Sequence, residues 1–196
     1  MRAVLVHVTD AELAKRRALG LDIRDEMWEG VLHMAPAPYL EHQRILDQLI
    51  SFLGGHMRTT GRGTLISGIN VFRKSDDYRI PDLTFVAAGR DHLFQKDGTR
   101  GGGPDAVIEI RSPEDETYEK FPFYAALGIA EVVVIDRDTK RTEIYRLAGS
   151  QYVALQQDAD GWLRSETMAV RLRAVEGNPP RLRAEDARDE ATHVEI

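Results

Sequence analysis

Two acidic residues occupy positions in this sequence from which they could share a metal ion. Asp82 directly follows Pro81 and opens an apolar run, and Glu109 lies near the end of a second apolar run. A carboxylate in a buried strand is costly unless it is paired or binds a cation. Because Mg²⁺ prefers oxygen ligands and keeps several waters, two carboxylates can be enough to hold it. We therefore predict a divalent-metal site at Asp82 and Glu109.

Three further groups near these acids could take part in the chemistry. The backbone carbonyl of Ile110 could supply a third oxygen ligand to the metal. Arg111 stands two residues after Glu109, so it should point to the same face of the strand. Lys120 falls on the helix that follows and can reach back toward the strand ends. The pKa of a lysine can be tuned by burial, whereas Arg111 stays charged and can only neutralise or position a phosphate, or act as a structural partner.

The stretches around these residues have the lengths and periods of sheet and helix elements. The predicted elements are, in order, a helix over 40–53, strands at 64–66, 69–72, 79–86 and 106–111, a helix within 116–127, and a strand at 132–135. The last of these is a continuous apolar run, as in a strand buried on both faces. A helix between two strands indicates a parallel pair, and hence a mixed sheet.

The pattern predicts a single α/β (α+β) domain over residues 1–175, with a mixed β-sheet flanked by helices. Its expected parts are an N-terminal helix and hairpin (1–38), a core (39–136), a C-terminal antiparallel β-meander (137–175) and a loose C-terminal tail (176–196). The 196 residues, of which 42% are hydrophobic and 30% charged, are enough for one domain with a full core.

Composition also limits the classes of function and the compartment. No apolar run approaches the roughly 20 residues of a membrane span. The absence of cysteine excludes disulfides and thiolate metal sites, and it suits a reducing, cytoplasmic location. A net charge of −6 gives no overall field that attracts nucleic acid. Any contact with DNA would therefore need a local basic patch or a groove between two copies.

Several short motifs in combination resemble the Uma-two family, which is classed with restriction endonucleases of the PD-(D/E)XK superfamily. The resemblance covers roughly residues 10 to 150. The motifs that carry it are Trp28-Glu29-Gly30, Met34, Pro36, His42, Pro81-Asp82, Glu109-Ile110-Arg111-Ser112-Pro113, Glu119-Lys120-Phe121 with Tyr124, and Gly128-Ile129 before Val133-Val134-Ile135-Asp136.

The resemblance implies a restriction-endonuclease-like core of helix, three strands, helix and strand. It also implies cleavage of DNA phosphodiester bonds that depends on Mg²⁺ or Mn²⁺. Asp82 matches the first metal-binding acid of the family and Glu109 the second. The Glu-x-Lys of the superfamily would place a lysine where Arg111 stands, and in this family Lys120 is the substitute, from a migrated position.

Other functions and residues stay open at this point. A non-catalytic interaction or regulatory protein that keeps the nuclease fold would fit the acidic net charge and the missing Glu-x-Lys. A small-molecule phosphodiesterase could use the same pocket, and a basic rim would favour nucleic acid over it. Edge strands in the meander suggest a homodimer. His42 suits a helix-cap role as well as a functional one, and Glu41 could add a ligand.

Overall fold

The computed structural model describes residues 3–196, with side chains from Val4 onward. Its α-helices are α1 (Asp10–Ala18), α2 (Leu40–Thr60) and α3 (Phe121–Ala126), and short 3₁₀ helices cover Asp91–Leu93 and Tyr118–Lys120. None of the helices in this described part of the chain is long and apolar enough to cross a membrane.

The strands form three sheets. In chain order, β1 to β17 are Ala3–Leu5, Asp25–Trp28, Val31–Met34, Gly63–Ser67, Asn70–Lys74, Asp77–Arg79, Leu83–Ala87, Phe94–Gln95, Gly98–Thr99, Ala106–Arg111, Glu131–Asp136, Thr142–Ala148, Gln151–Ala154, Leu163–Ser165, Val170–Val175, Arg181–Asp186 and His193–Glu195.

The central sheet has six strands in the order β13-β12-β11-β10-β7-β4. Strands β10 and β11 are parallel, and α3 lies in the crossover between them. The other neighbours in this sheet are antiparallel. The mixed sheet with one crossover helix confirms the fold class predicted from the sequence.

Alternation along β10 assigns its side chains to the two faces of the central sheet. Ile108 and Ile110 belong to the core cluster that also contains the buried face of α2. Val107 packs in a second cluster with Phe123 and Tyr124 of α3. Because successive strand residues point to opposite faces, Glu109 shares the face of Val107 and points toward α3.

Helix α2 is longer than the predicted segment 40–53. Gly54 and Gly55, which suggested its end, are helical, and the helix ends before Gly61, whose φ is 63°. His56 and Met57, which follow the glycines, are buried, with Met57 only 1% exposed. Burial of that extra turn outweighs the roughly 1 kcal/mol that a glycine costs inside a helix.

The predicted strand 79–86 is divided between two sheets. Arg79 ends β6, which belongs to a seven-stranded N-terminal sheet in the order β1-β3-β2-β6-β5-β9-β8, whereas Leu83 begins β7 of the central sheet. Pro81 lies between them and has no N–H to donate to a ladder. Asp82 therefore stands where the chain passes from one sheet to the other.

The expected antiparallel meander is present, but it is divided between two sheets and it continues into the residues expected to form a loose tail. Strands β14 to β17 form a separate four-stranded antiparallel sheet, and β16 and β17 lie within residues 176–196. Leu182 and Ala184 are fully buried in the same core cluster as α2. Only the first two strands after 136, β12 and β13, extend the central sheet.

Burial of Leu182 predicts a large stability effect. Leu182→Ala should lower the free energy of unfolding by about 2–5 kcal/mol, because it removes packed atoms and leaves a cavity. Arg188→Ala, at an exposed position of the same segment, should change it by less than about 0.5 kcal/mol. Urea denaturation measures both, and equal small effects would show that the segment is a loose tail.

Candidate active site

The two predicted acids lie at the point where β7 and β10 stop pairing. The last pair of this antiparallel ladder is Leu83 with Ile108. Continued by one residue, the register sets Asp82 opposite Glu109. Opposed residues in such a pair have Cβ atoms about 4.5–5.5 Å apart. One end of the central sheet therefore carries both carboxylates.

The Asp82 carboxylate is held through one of its oxygens. Oδ2 accepts a hydrogen bond from the backbone N–H of Ile110 at 2.7 Å and lies 3.2 Å from Nε2 of His42. Nδ1 of His42 is buried without a hydrogen-bond partner among the described residues. Oδ1 of Asp82 receives no hydrogen bond from residues 3–196.

Glu109 shares a buried ammonium with a third carboxylate. Nζ of Lys120 lies 3.1 and 3.4 Å from the two carboxylate oxygens of Glu109. The same Nζ lies 2.9 Å from Oε1 of Glu26 on β2. Side-chain exposure is only 7% for Lys120 and 5% for each glutamate. The hydroxyl of Tyr124 donates a hydrogen bond to Oε1 of Glu109.

Burial and neighbouring charges shift the protonation equilibria of this cluster. Burial raises the pKa of Glu109 to about 7, and the charges of Asp82 and Glu26 add to this, while Lys120 and the Tyr124 hydroxyl act against it. Burial alone would raise the pKa of Glu26, but Lys120 and two N–H donors hold it below its usual value. Burial alone would lower the pKa of Lys120, yet the two glutamates raise it. Lys120 is therefore a permanent cation here.

These side chains line a cavity of about 600 Å³. Its charged walls are mostly acidic, and they comprise Glu26, Asp82, Glu109, Glu114, Asp115 and Glu116 against Arg24 and Lys120. Among the residues that line the cavity, Arg24 and Lys120 are the only arginine or lysine side chains, so the lining itself provides no basic rim. A polyanionic substrate would therefore need a cation to approach the two acids.

Arg111 lies apart from this cavity. Its guanidinium is 3.1 Å from the Asp136 carboxylate and 5.5 Å from the centre of the Tyr118 ring. With these two residues it lines a second cavity of about 300 Å³. Glu41 is also directed elsewhere, since its carboxylate pairs with Nζ of Lys140 at 2.7 Å. The structure thus brings together Asp82, Glu109, Ile110 and Lys120, and leaves Arg111 at the side.

Sequence reasoning missed Glu26 as a partner of Lys120. In β2 Glu26 stands two residues before Trp28, so the two share a face. An acid on the same face as a large aromatic was a signal available in the sequence. Its partner was not visible, because Lys120 is distant in sequence and on a different element.

The donor set fits a divalent cation. Residues 3–196 contain no cluster of three or more His, Cys, Asp or Glu side chains arranged for a metal. Mg²⁺, however, is commonly held by one or two carboxylates together with waters and substrate oxygens. Asp82 has a carboxylate oxygen without a donor, and three carboxylates around the single ammonium leave an excess of negative charge. A bound cation would offset that excess.

The fold is a mixed sheet in which α3 connects the parallel strands β10 and β11, with Asp82 directly before β7, Glu109 on β10 and Lys120 in the 3₁₀ turn before α3. Comparison with solved structures agrees with this fold. One similar structure is the crystal structure of "a putative nuclease belonging to DUF820" from Anabaena variabilis ATCC 29413. The match has a TM-score of 0.60 and 18% identity, and it covers 74% of this chain and 83% of that chain.

The sequence model of the Uma2 family, described as "Putative restriction endonuclease", matches residues 11–175. Because this span is most of the chain, the protein belongs to the Uma2 family. Comparison with curated proteins gave no match.

The raised pKa of Glu109 predicts a pH-dependent stability difference. The folded state holds the Glu109 proton up to about pH 7, whereas the unfolded chain releases it near the usual value of 4.5. This contribution to stability is complete below about pH 4.5 and is lost as pH rises through about 7. Relative to Glu109→Gln, the parent should therefore lose stability between pH 5 and pH 8. Urea unfolding without divalent ions measures the difference, and a pH-independent difference would contradict the shift.

Proposed function

We propose that this protein is an endonuclease that hydrolyses DNA phosphodiester bonds and depends on Mg²⁺ or Mn²⁺. The observation that carries the proposal is the meeting of Asp82 and Glu109 at one sheet end, with Nζ of Lys120 3.1 Å from Glu109. Membership of the Uma2 family supports the same reaction class.

Asp82, Glu109 and the carbonyl of Ile110 would hold the cation. The N–H of Ile110 faces Asp82. The N–H and C=O of an extended residue point to the same neighbouring strand, so the carbonyl of Ile110 is directed to that side as well. When bound, the cation would activate water and stabilise charge on the phosphate. The protein's part is to fix these oxygens on β10 and on the residue directly before β7.

Lys120 would stabilise negative charge on the reacting phosphate. Its pKa is raised by Glu109 and Glu26, so it stays protonated and does not act as a base on water in this arrangement. A fixed ammonium in a buried site is effective against developing charge. Arg111, about 7 Å along the strand from Glu109, would contact a phosphate further along the substrate.

The proposal includes a substrate, an oligomeric state and a location for this activity. DNA is the proposed substrate, and its approach would depend on the cation because the cavity walls are acidic. A homodimer could form through β13, an edge strand of the central sheet with Val153 56% exposed. The cysteine-free composition supports the cytoplasm.

One observation favours a second candidate, a non-catalytic interaction or regulatory protein with the nuclease fold. Lys120 and Tyr124 already engage Glu109, and the surrounding walls repel phosphate. A protein that never binds the cation would keep this ion-pair cluster as a structural element.

Binding of Mg²⁺ or Mn²⁺ separates the two candidates. For an active site we expect millimolar metal to raise the thermal midpoint of the parent. Stabilisation reaches about 2.7 kcal/mol at 100 times Kd, and each kcal/mol is worth roughly 2–4 °C at this size. Asp82→Asn should abolish the rise, because it removes one anionic ligand without changing shape. No rise in the parent, together with no cleavage of plasmid or single-stranded DNA, would favour the non-catalytic protein.

Cleavage rates of variants show whether Lys120 or Arg111 takes the role of the lysine in the Glu-x-Lys motif of the superfamily. Lys120→Met should lower the rate by about 100-fold or more, as expected when a preorganised charge stabiliser is removed. Arg111→Met should lower it by less than about tenfold, because Arg111 is paired with Asp136 outside the main cavity. Plasmid nicking at saturating Mg²⁺ gives both values. The reverse order would assign the role to Arg111.

A further inference from the structure

Lys120 has a partner that the proposed chemistry does not use. Its ammonium is 2.9 Å from Oε1 of Glu26 and 3.1 Å from the nearer oxygen of Glu109. Glu26 comes from β2 of the N-terminal sheet, whereas Glu109 comes from β10 of the central sheet. The lysine is therefore held from two sides by elements of different sheets.

Glu26 is itself firmly fixed. The backbone N–H of Ile80 donates to its Oε1 at 2.9 Å, and the indole N–H of Trp28 donates to its Oε2 at 2.8 Å. Neither donor can lose its proton near neutral pH. Arg79 is packed between the rings of Trp28 and Phe123, with distances of 4.2 and 4.3 Å to their centres. Glu26 is thus a stationary anion rather than a mobile side chain.

The two glutamates therefore differ in what they could offer to a cation. Both oxygens of Glu26 already accept N–H donors of the protein framework, and one also faces Lys120. Glu109 has no backbone donor among the described residues and is engaged by Lys120 and Tyr124 alone. If Lys120 remains paired with Glu26, the Glu109 carboxylate is free to coordinate a metal.

We propose that Glu26 is a positioning residue that anchors Lys120 and so keeps Glu109 available to a divalent cation. This inference rests on the proposed metal-dependent function. Without the anchor, Glu109 would be the only carboxylate paired with Lys120 among the described residues, and the two side chains would form an isolated ion pair. An ammonium and a divalent cation would then compete for the same oxygens.

The test is a double-mutant cycle that combines a substitution of Glu26 with a substitution of Lys120. Mn²⁺ affinity is measured for each variant from the electron paramagnetic resonance signal of free Mn²⁺. Glu26→Asp keeps the charge but withdraws the carboxylate by about 1.5 Å. We expect it to weaken Mn²⁺ binding by about 10–100-fold, the range typical of residues that orient metal ligands. In the Lys120→Met background the same substitution should change Mn²⁺ affinity by less than about threefold. A cycle of this kind isolates the coupling between the two residues.

A matched control comes from the same hairpin. Glu29→Asp makes the same chemical change at a side chain that is 75% exposed and paired with Arg73. It should leave the Mn²⁺ affinity within about twofold of the parent. Thermal midpoints without metal identify any variant that fails to fold. If Glu26→Asp does, Trp28→Phe removes one donor to Glu26, and it should also weaken Mn²⁺ binding only when Lys120 is present.

The outcomes separate this inference from the function on which it rests. If the parent binds Mn²⁺ and Glu26→Asp binds equally well, the anchor is overturned and the metal site stands. If Glu26→Asp weakens binding equally in both backgrounds, Glu26 acts as a ligand or a general support, and the anchor is again overturned. If the parent does not bind Mn²⁺, the proposed metal-dependent function fails, and the anchor fails with it.

Discussion

The arrangement of the candidate site depends on one buried ammonium shared by two carboxylates. Lys120 joins the 3₁₀ turn before α3 to β2 of the N-terminal sheet and β10 of the central sheet. Taking three charges out of water is costly, and it is tolerated only when the partners stay in contact. Apolar residues of similar volume often serve stability as well or better than a buried ion cluster. The cluster is therefore weak evidence for a role in stability alone.

The division of β10 between two faces explains how a charged cluster can lie inside a well-packed domain. Ile108 and Ile110 face α2 and complete an apolar core, so no polar atom of the cluster interrupts it. On the other face Val107 packs beneath Tyr124, and Glu109 follows at the strand end. The hydroxyl of Tyr124 reaches Glu109 from this apolar cluster. Tyr124 thus packs in the apolar cluster with its ring and contacts the charged cluster with its hydroxyl.

Electrostatics constrain any substrate of this cavity. A net charge of −6 and walls with six acids against two cations oppose the approach of a phosphodiester. A divalent cation would reverse the local sign at Asp82 and Glu109, where the phosphate would have to sit. The acidic residues that would repel nucleic acid from the metal-free protein are the ones that would attract the cation.

Local sequence determined most strands of the central sheet, the crossover helix, and the positions of Glu109 on β10 and of Asp82 directly before β7. Apolar runs and their periods are properties of neighbouring residues, and Asp82 and Glu109 could be placed from them alone.

The sequence did not disclose which charged side chains would form ion pairs with one another. Glu26 joins Lys120, and Arg111 joins Asp136, through contacts between elements distant in the chain. Residues 181–184 are Arg, Leu, Arg and Ala in a highly charged C-terminal stretch, which suggested an exposed tail. Pairing with β15 instead places Leu182 and Ala184 in the core. Tertiary structure decided these points because the burial of a charge or a short strand depends on the surface that covers it.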